Sequence, residues 1–299
     1  MKQKAVNMNK NDASKNDANA RRLATMRENL VKLEKLAGAI LEKGDSMTVA
    51  DRAALLTIVN VAYHDSGKIE GCFSVDSCAA CSFCQAMIAS AAENILIICG
   101  SCYAAADAWK EAAWRRHKLN ARILSSVLFS TEELKALHID GTRCRFNEDG
   151  DTVNTTMARN YLRIAAGHPG VMFGYWYKNA PAVAEGLQAE GIKDRDALPA
   201  NVRFIHSSLL IGFPAGRLWF DDAIFTVYPD AETTAAAIQA GAHECNGRRC
   251  RACDYTCYLH TRRAEPLHIA EVLRCNKARR AAILAAYNAR KAQLAMLAG

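Results

Sequence analysis

The sequence predicts an α/β protein built on a partial β/α barrel of the TIM type, with a helical extension before it and cysteine-rich loops. Between Arg143 and Ala240, short apolar runs rich in β-branched and aromatic residues alternate with amphipathic helical segments. Such alternation favours a parallel sheet with crossover helices. The 299 residues are 51% hydrophobic and 23% charged, which is the composition of a globular chain with room for one large core.

The segment before the sheet is predicted to be a helical extension over residues 21–65. Residues 1–20 are rich in Asn, Lys and Asp with almost no large apolar side chain, so they are predicted to be a disordered tail. From Arg21 to Glu42, large apolar residues recur at spacings of three and four, which indicates an amphipathic helix. A second helix is predicted to begin after Thr48, its N-cap, and to end at His64.

Residues 66–275 are expected to form the sheet-containing domain. Strands are predicted at Arg143–Asn147, Val171–Tyr177, Val202–Ser207 and within Leu218–Tyr228. Helices are predicted at Tyr103–Ser125, Val153–Ala166, Ala180–Glu190 and Ala231–Ala240. Residues 276–299 are predicted to be a basic amphipathic helix whose apolar side holds Ile283, Tyr287, Leu294 and Leu297.

The net charge of +7 is concentrated at the two ends of the chain. Residues 1–43 carry ten basic and five acidic side chains, and residues 248–291 carry eleven basic and three acidic ones. The rest of the chain therefore has a net negative charge. A basic C-terminal region is compatible with nucleic-acid binding through phosphate neutralisation, and equally with a solvated helix face. No apolar run is long enough to span a membrane and no signal sequence is recognisable, so a cytoplasmic protein without membrane contact is expected.

Ten of the twelve cysteines lie in two short segments, six between Cys72 and Cys102 and four between Cys245 and Cys257. Cysteines this close in sequence rarely reach one another without backbone strain. The clustering therefore favours metal ligation over disulfides and indicates a reducing compartment.

The more regular group is Cys245, Cys250, Cys253 and Cys257, separated by four, two and three residues. The last two gaps match those of a ferredoxin-like iron–sulfur loop. Arginines within the loop would offset the negative charge of a cluster held by four thiolates. A compact knuckle of four cysteines can also close on zinc, so a [4Fe-4S] cluster is predicted with zinc as the alternative.

The first group is less regular and comprises Cys72, Cys78, Cys81, Cys84, Cys99 and Cys102. Three thiolates on a [4Fe-4S] cluster would leave one iron open for a ligand such as S-adenosylmethionine. The spacing differs from the C-x3-C-x2-C signature of radical-SAM enzymes. Cys72 and Cys78 are also compatible with small buried hydrophobic residues.

The order of several motifs resembles that of the gene-product-88 family of phages and integrated mobile elements. These motifs are Asp65–Gly71, Phe83-Cys84-Gln85, Ile98–Ala104, Arg145–Asp151, Tyr177-Lys178-Asn179 and the second cysteine group. The resemblance implies a partial β/α barrel related to radical-SAM folds. It also implies two metal groups, one at Cys84, Cys99 and Cys102 and the other at Cys245, Cys250, Cys253 and Cys257. Cys78 and Cys81 depart from the family's pattern.

Polar residues at the ends of predicted strands are candidates for chemistry. Asn147, Glu148, Asp149 and Asp151 follow one strand, and Tyr177 and Lys178 end the next. The carboxyl ends of strands face the active site in barrel-like folds. We therefore expect the two aspartates with Tyr177 and Lys178 to be catalytic, and Asn147 to bind a cofactor. An Asp-Gly turn that caps the following helix would explain the acidic residues without a function.

Three classes of function remain open. The protein could be an enzyme that uses an open-site cluster on a small molecule, with S-adenosylmethionine as a further cofactor. It could also be a metal-stabilised nucleic-acid-binding module, or a redox or electron-transfer protein. The sequence has no P-loop, no G-x-G-x-x-G motif and no Ser-His-Asp spacing, so nucleotide hydrolysis and dinucleotide chemistry have no support.

Overall fold

An eight-stranded sheet and nine α-helices are found in the part of the chain that the structure describes. The computed structural model describes residues 2–65, 70–77, 82–101, 111–245, 253, 256–258 and 262–298. The helices are α1 (Lys2–Leu41), α2 (Val49–Ile58), α3 (Ser82–Ser90), α4 (Glu111–Ser126), α5 (Thr131–Leu134), α6 (Thr155–Gly167), α7 (Ala180–Ala189), α8 (Ala231–Gln239) and α9 (Lys277–Ala298). The strands are β1 (Ala62–His64), β2 (Cys72–Val75), β3 (Arg143–Phe146), β4 (Met172–Tyr177), β5 (Val202–Ser207), β6 (Ala223–Tyr228), β7 (His243–Glu244) and β8 (Leu267–Val272).

The sheet is mostly parallel, as predicted, with strand order β1-β2-β3-β4-β5-β6-β8-β7. Only β1 runs antiparallel to its neighbour among these strands, and β2 to β6 lie side by side in chain order. Parallel strands that follow chain order are the arrangement found in β/α barrels. The α/β class is therefore confirmed, and its curvature into a partial barrel stays a prediction.

One face of the sheet packs against helices and forms the main core. Phe146 of β3 stacks on Tyr161 of α6 with ring centroids 4.2 Å apart, and Tyr175 of β4 meets Tyr161 edge-on. Because successive side chains in a strand alternate between faces, Arg145 and Trp176 lie on the opposite face. There the Arg145 guanidinium lies 4.3 Å from the centre of the Trp176 ring. We call these the helix-covered face and the opposite face.

The elements predicted between Arg143 and Ala240 are confirmed, with ends that differ by a few residues. The largest difference is in the run Leu218–Tyr228, of which only Ala223–Tyr228 forms a strand, β6. Leu218 and Asp221 close a turn instead, because the Leu218 backbone N–H donates to the Asp221 carboxylate at 2.7 Å. Strands β2 and β8 were not predicted, since short runs beside cysteines and loop residues carry a weak periodic signal.

The second predicted helix is shorter than expected. Thr48 is its N-cap, as predicted, and forms a capping box with Asp51. The helix ends at Ile58, and residues Ala62–His64 form the edge strand β1 paired with β2. The prediction that the helix reaches His64 is therefore wrong. Val59, Val61 and Tyr63 are β-branched or aromatic, and such residues suit a strand once a partner strand is available.

The first helix begins at Lys2 and therefore includes residues 2–20. The composition of residues 1–20 predicts a disordered tail instead. The C-terminal half of the helix is anchored in the core by Leu30, Ala37 and Ile40, which are at most 3% exposed. Extending an anchored helix costs little free energy compared with nucleating a new one. Residues 2–20 also contain Lys, Ala, Met and Gln, which are good helix formers. Helix propagation therefore accounts for the difference from the composition-based prediction.

The C-terminal helix α9 is confirmed, but only part of its apolar side is buried. Ile283 and Tyr287 pack against the domain, whereas Leu294 and Leu297 are 40% and 77% exposed. The predicted apolar stripe therefore contacts the core only over its first half. None of the helices in the described ranges is both long and apolar enough to cross a membrane.

Arg52 joins α2 to α5 through an ion pair. Its Nε and Nη2 donate to the Glu133 carboxylate at 2.5 and 2.8 Å, and Nη2 also donates to the Leu128 carbonyl. The hydrogen bonds from Arg52 lower the pKa of Glu133 from 4.5 to about 2. A carboxyl whose pKa is lowered by folding stabilises the fold above its unfolded pKa, and this stabilisation is lost as pH falls towards the folded pKa.

We expect Arg52→Met to lower the free energy of unfolding by about 1–3 kcal/mol at pH 7, because a charge-assisted pair is lost. The loss should be smaller at pH 3, where the wild type has already lost part of this stabilisation. Urea unfolding at the two pH values measures both. Lys135→Met is the control, since its pair with Glu132 is exposed and should contribute little. Equal losses for Arg52→Met at both pH values would contradict the prediction.

Candidate functional site

A cavity of about 450 Å³ lies at the carboxyl ends of the parallel strands. Its wall is formed by the opposite face of the sheet, through Arg145, Trp176, Ser207, Phe225, Val227 and Glu271. Its rim is formed by residues that follow β3 and β4, namely Asn147, Glu148, Gly150, Asp151 and Lys178. This is the edge of a parallel sheet at which α/β proteins bind their ligands.

Two thiols of the first cysteine group line this cavity. Cys84 lies on α3, Cys99 lies in the 3₁₀ turn Ile98–Ser101, and each is 8% exposed. Arg279 of α9 holds the turn, because its guanidinium donates to the Ser101 hydroxyl at 2.9 Å and to the Gly100 carbonyl. The fold therefore brings two of the three predicted ligands beside the strand ends. The third predicted ligand, Cys102, lies outside the described residues, as do Cys78 and Cys81.

Two members of the second cysteine group, Cys245 and Cys257, lie on the same face of the sheet but pack against a different set of residues. Cys245 and Cys257 contact an apolar cluster formed by Ile205, Ala223, Phe225, Leu267 and Ile269. Tyr258, next to Cys257, packs against Cys72 and Met172, which begin β2 and β4. Cys257 thus lies towards the amino ends of the strands, away from the cavity. Cys253 is half-buried, and Cys250 lies outside the described residues.

Trp176 and Phe225 form a layer shared by the cavity and the apolar cluster. Their ring centroids are 4.9 Å apart with the rings nearly perpendicular. Both line the cavity, and both also belong to the packing around Cys245 and Cys257. The aromatic pair therefore links the cavity that Cys84 and Cys99 line to the apolar cluster that Cys245 and Cys257 contact.

Asn147 lies on the cavity rim with its backbone in the left-handed region, at φ 60°. Its amide nitrogen donates to the Thr152 hydroxyl and the Trp176 carbonyl, and its amide oxygen accepts from Ser77 and Tyr161, all at 2.9–3.1 Å. An Asn side chain offers two donor hydrogens and two acceptor lone pairs, so these contacts use its capacity. The predicted cofactor-binding role is therefore not supported, because this side chain holds the loop after β3 together.

Asp151 and Lys178 come together at the rim, as predicted. The Asp151 carboxylate is 1% exposed and accepts the backbone N–H groups of Thr152, Lys178 and Asn179 at 2.7–3.2 Å. Burial raises its pKa, and the Lys178 ammonium, 3.9 Å away, opposes that change. Asp151 thus orders the chain before α7, while the N-cap of α6 is Asn154.

Tyr177 does not line the cavity. It is 1% exposed on the helix-covered face, where its hydroxyl donates to Asp221 and its ring stacks on His206 at 4.9 Å. The reason is strand alternation, which places Trp176 rather than Tyr177 on the opposite face. We therefore leave Tyr177 out of the candidate site.

A cluster of two imidazoles and three carboxylates borders the cavity, formed by His64, Asp76, His117, Glu148 and Asp149. We call it the imidazole–carboxylate cluster. The His64 Nε2 atom is 3.2 Å from a Glu148 carboxylate oxygen, and the His117 Nδ1 atom is 3.4 Å from Asp149. Asp76 is 2% exposed and accepts the Glu148 backbone N–H at 2.6 Å. Of the predicted catalytic residues, Asp149 belongs here.

The pKa values in this cluster are shifted by its burial and its charges. Burial, and then the charge of Asp76, raise the pKa of Glu148 to about 7. Burial also raises the pKa of Asp76 and lowers that of His64. For His117, burial is outweighed by the hydrogen bond to Asp149 and the surrounding carboxylates, so its pKa is raised.

Sequence reasoning missed most of this cluster. His64 lies within the predicted second helix, and Asp76 lies among the cysteines of a segment interpreted as a loop. The available signal was that Asp76 directly follows the apolar run Cys72–Val75, as Asn147 follows Arg143–Phe146. Recognising that run as a strand would have placed Asp76 at the same edge of the sheet as Glu148.

No family model, curated protein or solved structure matches this chain. The similarity to the gene-product-88 family therefore rests on the order of the motifs and stays a prediction.

Proposed function

We propose that the protein is an enzyme that holds a [4Fe-4S] cluster through Cys84, Cys99 and Cys102 and acts on a small molecule in the cavity. The observation that carries this proposal is that Cys84 and Cys99 line the same cavity as Lys178 and the other strand-end residues. Three protein ligands would leave one iron open to a further ligand. Thiols and polar groups at one edge of a parallel sheet are the arrangement that such an enzyme needs.

The residues around the two thiols fit an iron–sulfur cluster. Thiolate sulfur is the ligand that such clusters use, and the low exposure of both cysteines would shield a bound cluster from water. Phe83, Ile88 and Ile98 add apolar surface on this side of the cavity. Burial of this kind is one of the factors that set the reduction potential of a cluster.

The cavity also suits a ligand that carries both signs of charge. Its wall and rim contain three basic side chains, Arg145, Lys178 and Arg274, and three acidic ones, Glu148, Asp151 and Glu271. S-adenosylmethionine combines an ammonium, a carboxylate and a sulfonium. When bound, a reduced cluster supplies an electron to such a ligand, and the residues of this chain would orient the ligand and exclude water.

The second cysteine group is proposed as a separate metal centre, either a [4Fe-4S] cluster or zinc. Cys245 and Cys257 approach the same apolar cluster, as two ligands of one centre would. The packing of Cys245 and Cys257 on an apolar cluster, rather than along the cavity, favours a structural or electron-transfer role. An electron-transfer protein that uses both groups is therefore the nearest alternative to the enzyme.

Nucleic-acid binding through the basic C-terminal region has weaker support. Arg279 is hydrogen-bonded to the turn that carries Cys99, and Arg280 donates to the carbonyls of Leu273 and Cys275. Arg290 and Lys291 are exposed. Two of these four basic side chains thus stabilise the fold.

The proposal is tested on full-length protein purified without oxygen and analysed for iron, sulfide and zinc. We expect iron and sulfide in equal amounts, and an electron paramagnetic resonance signal on reduction that changes when S-adenosylmethionine is added. Colourless protein that contains only zinc, or no metal, would overturn the enzyme proposal. An iron–sulfur signal unaffected by S-adenosylmethionine would favour the electron-transfer alternative.

A further inference from the structure

We propose that the imidazole–carboxylate cluster binds one divalent first-row metal ion, with His64, Asp76 and Glu148 as its ligands and His117 as a fourth that moves towards them. This site is distinct from both cysteine groups and does not depend on the iron–sulfur proposal. Imidazole nitrogen and carboxylate oxygen are ligands that suit Mn²⁺, Fe²⁺ and Zn²⁺.

The positions of the donor atoms carry the inference. One donor atom each from His64, Asp76 and Glu148 lie within 4.8 Å of one another. Ligand atoms at about 2.0–2.2 Å from a common ion lie roughly 3–4 Å apart, so small rotations of these side chains suffice. The His117 Nε2 atom lies 3.9 Å from Asp76 and outside this set, so His117 needs a side-chain movement to become a fourth ligand.

The surrounding hydrogen bonds have the arrangement typical of metal sites. A metal-bound imidazole usually donates its other ring nitrogen to a carboxylate or carbonyl, which orients the ring. The Nδ1 atom of His117 faces Asp149 at 3.4 Å, while its Nε2 atom faces Asp76. The Ser74 hydroxyl donates to Asp76 at 2.6 Å, which orients that carboxylate in turn.

Charge and access also support a bound cation. Asp76 is almost fully buried beside Glu148 and Asp149, and a divalent cation would offset the repulsion between these carboxylates. Glu148 lines the cavity, so an ion can enter from solvent, and an open coordination position would face the cavity. The ligands come from β1, the end of β2, α4 and the loop after β3, which a folded domain holds in place.

The test is a titration of full-length, EDTA-dialysed protein with Mn²⁺. The concentration of free Mn²⁺ is measured at each step from its six-line electron paramagnetic resonance spectrum. We chose Mn²⁺ because thiolates bind it poorly, so the cysteine groups do not interfere. We expect one equivalent to bind. His64→Ala and Glu148→Gln should each weaken binding at least about tenfold, which is the scale of effects seen when metal-site residues are replaced.

Two control variants establish that the bound Mn²⁺ occupies this cluster. Glu132→Gln removes an exposed carboxylate on α5 and should bind Mn²⁺ as the wild type does. Cys84→Ser should also bind normally, which shows that the site does not require the proposed cluster. Circular dichroism establishes that each variant is folded. No Mn²⁺ binding by the wild type, or wild-type affinity in both His64→Ala and Glu148→Gln, would overturn the proposal.

Discussion

Replacing Cys84 or Cys99 with serine is expected to remove the iron and sulfide of the cluster proposed at the cavity. A cluster held by three protein ligands would lose one of them in each variant, so one substitution should be enough to release it. The change in the resonance signal caused by S-adenosylmethionine should disappear in both variants. Absorbance from a cluster at Cys245–Cys257 should remain, because Cys245 and Cys257 pack on the apolar cluster and are not among the residues that line the cavity.

The control for these variants is Cys275→Ser, which replaces a half-buried cysteine outside both groups. It should keep the iron and sulfide content of the wild type. Each variant is compared by circular dichroism, because Cys84 and Cys99 are themselves buried. Full iron and sulfide content in both Cys84→Ser and Cys99→Ser would show that the cavity thiols hold no cluster.

Asn147→Ala is expected to lower the free energy of unfolding by at least about 3 kcal/mol, measured by urea denaturation. The substitution removes four buried hydrogen bonds and leaves the Tyr161 hydroxyl and the Trp176 carbonyl without this partner. Each buried polar group that loses its partner costs about 1–3 kcal/mol. The left-handed backbone at this position adds roughly 1–2 kcal/mol for a residue other than Gly, Asn or Asp.

Two further variants identify the cause of this loss. Asn154→Ala removes the N-cap hydrogen bond that the Met157 N–H donates to Asn154 and an exposed hydrogen bond from Asn154 to the Ser125 carbonyl, both at 3.0 Å. It should cost about 1–2 kcal/mol. Asn147→Asp tolerates the left-handed backbone and keeps the acceptors while losing the donors, so its effect should be intermediate. If Asn147→Ala costs no more than Asn154→Ala, the side chain does not hold the loop as we infer.

The central fold could be predicted from local patterns. Alternating apolar runs and amphipathic segments predicted β3 to β6 and the helices between them. This is possible because burial of one face makes apolar residues recur with the period of a strand or a helix, which is visible within a short stretch of sequence. The N-cap at Thr48 was predictable for the same reason, since a capping hydrogen bond spans three residues. The α/β class and the parallel sheet follow from these elements and the handedness of their connections.

The candidate site could be predicted only in part. The edge of the sheet was correct, because strand ends follow from the strands, and Asp151 and Lys178 do meet there. Which side chain faces the cavity depends on strand register, and a shift of one residue exchanges Trp176 for Tyr177. Sequence spacing also could not show that Asn147 uses its whole amide in internal contacts.

By itself, then, the sequence determined the α/β class, the strands β3 to β6, most of the helices, and the two cysteine-rich segments. The tertiary structure decided which residues meet. It brings His64 to Glu148 and His117 to Asp149 across long stretches of chain, and it places Cys84 and Cys99 at one cavity. The physical reason is that propensity and periodicity act over a few residues, whereas a site forms where strand pairing and helix packing bring distant residues together.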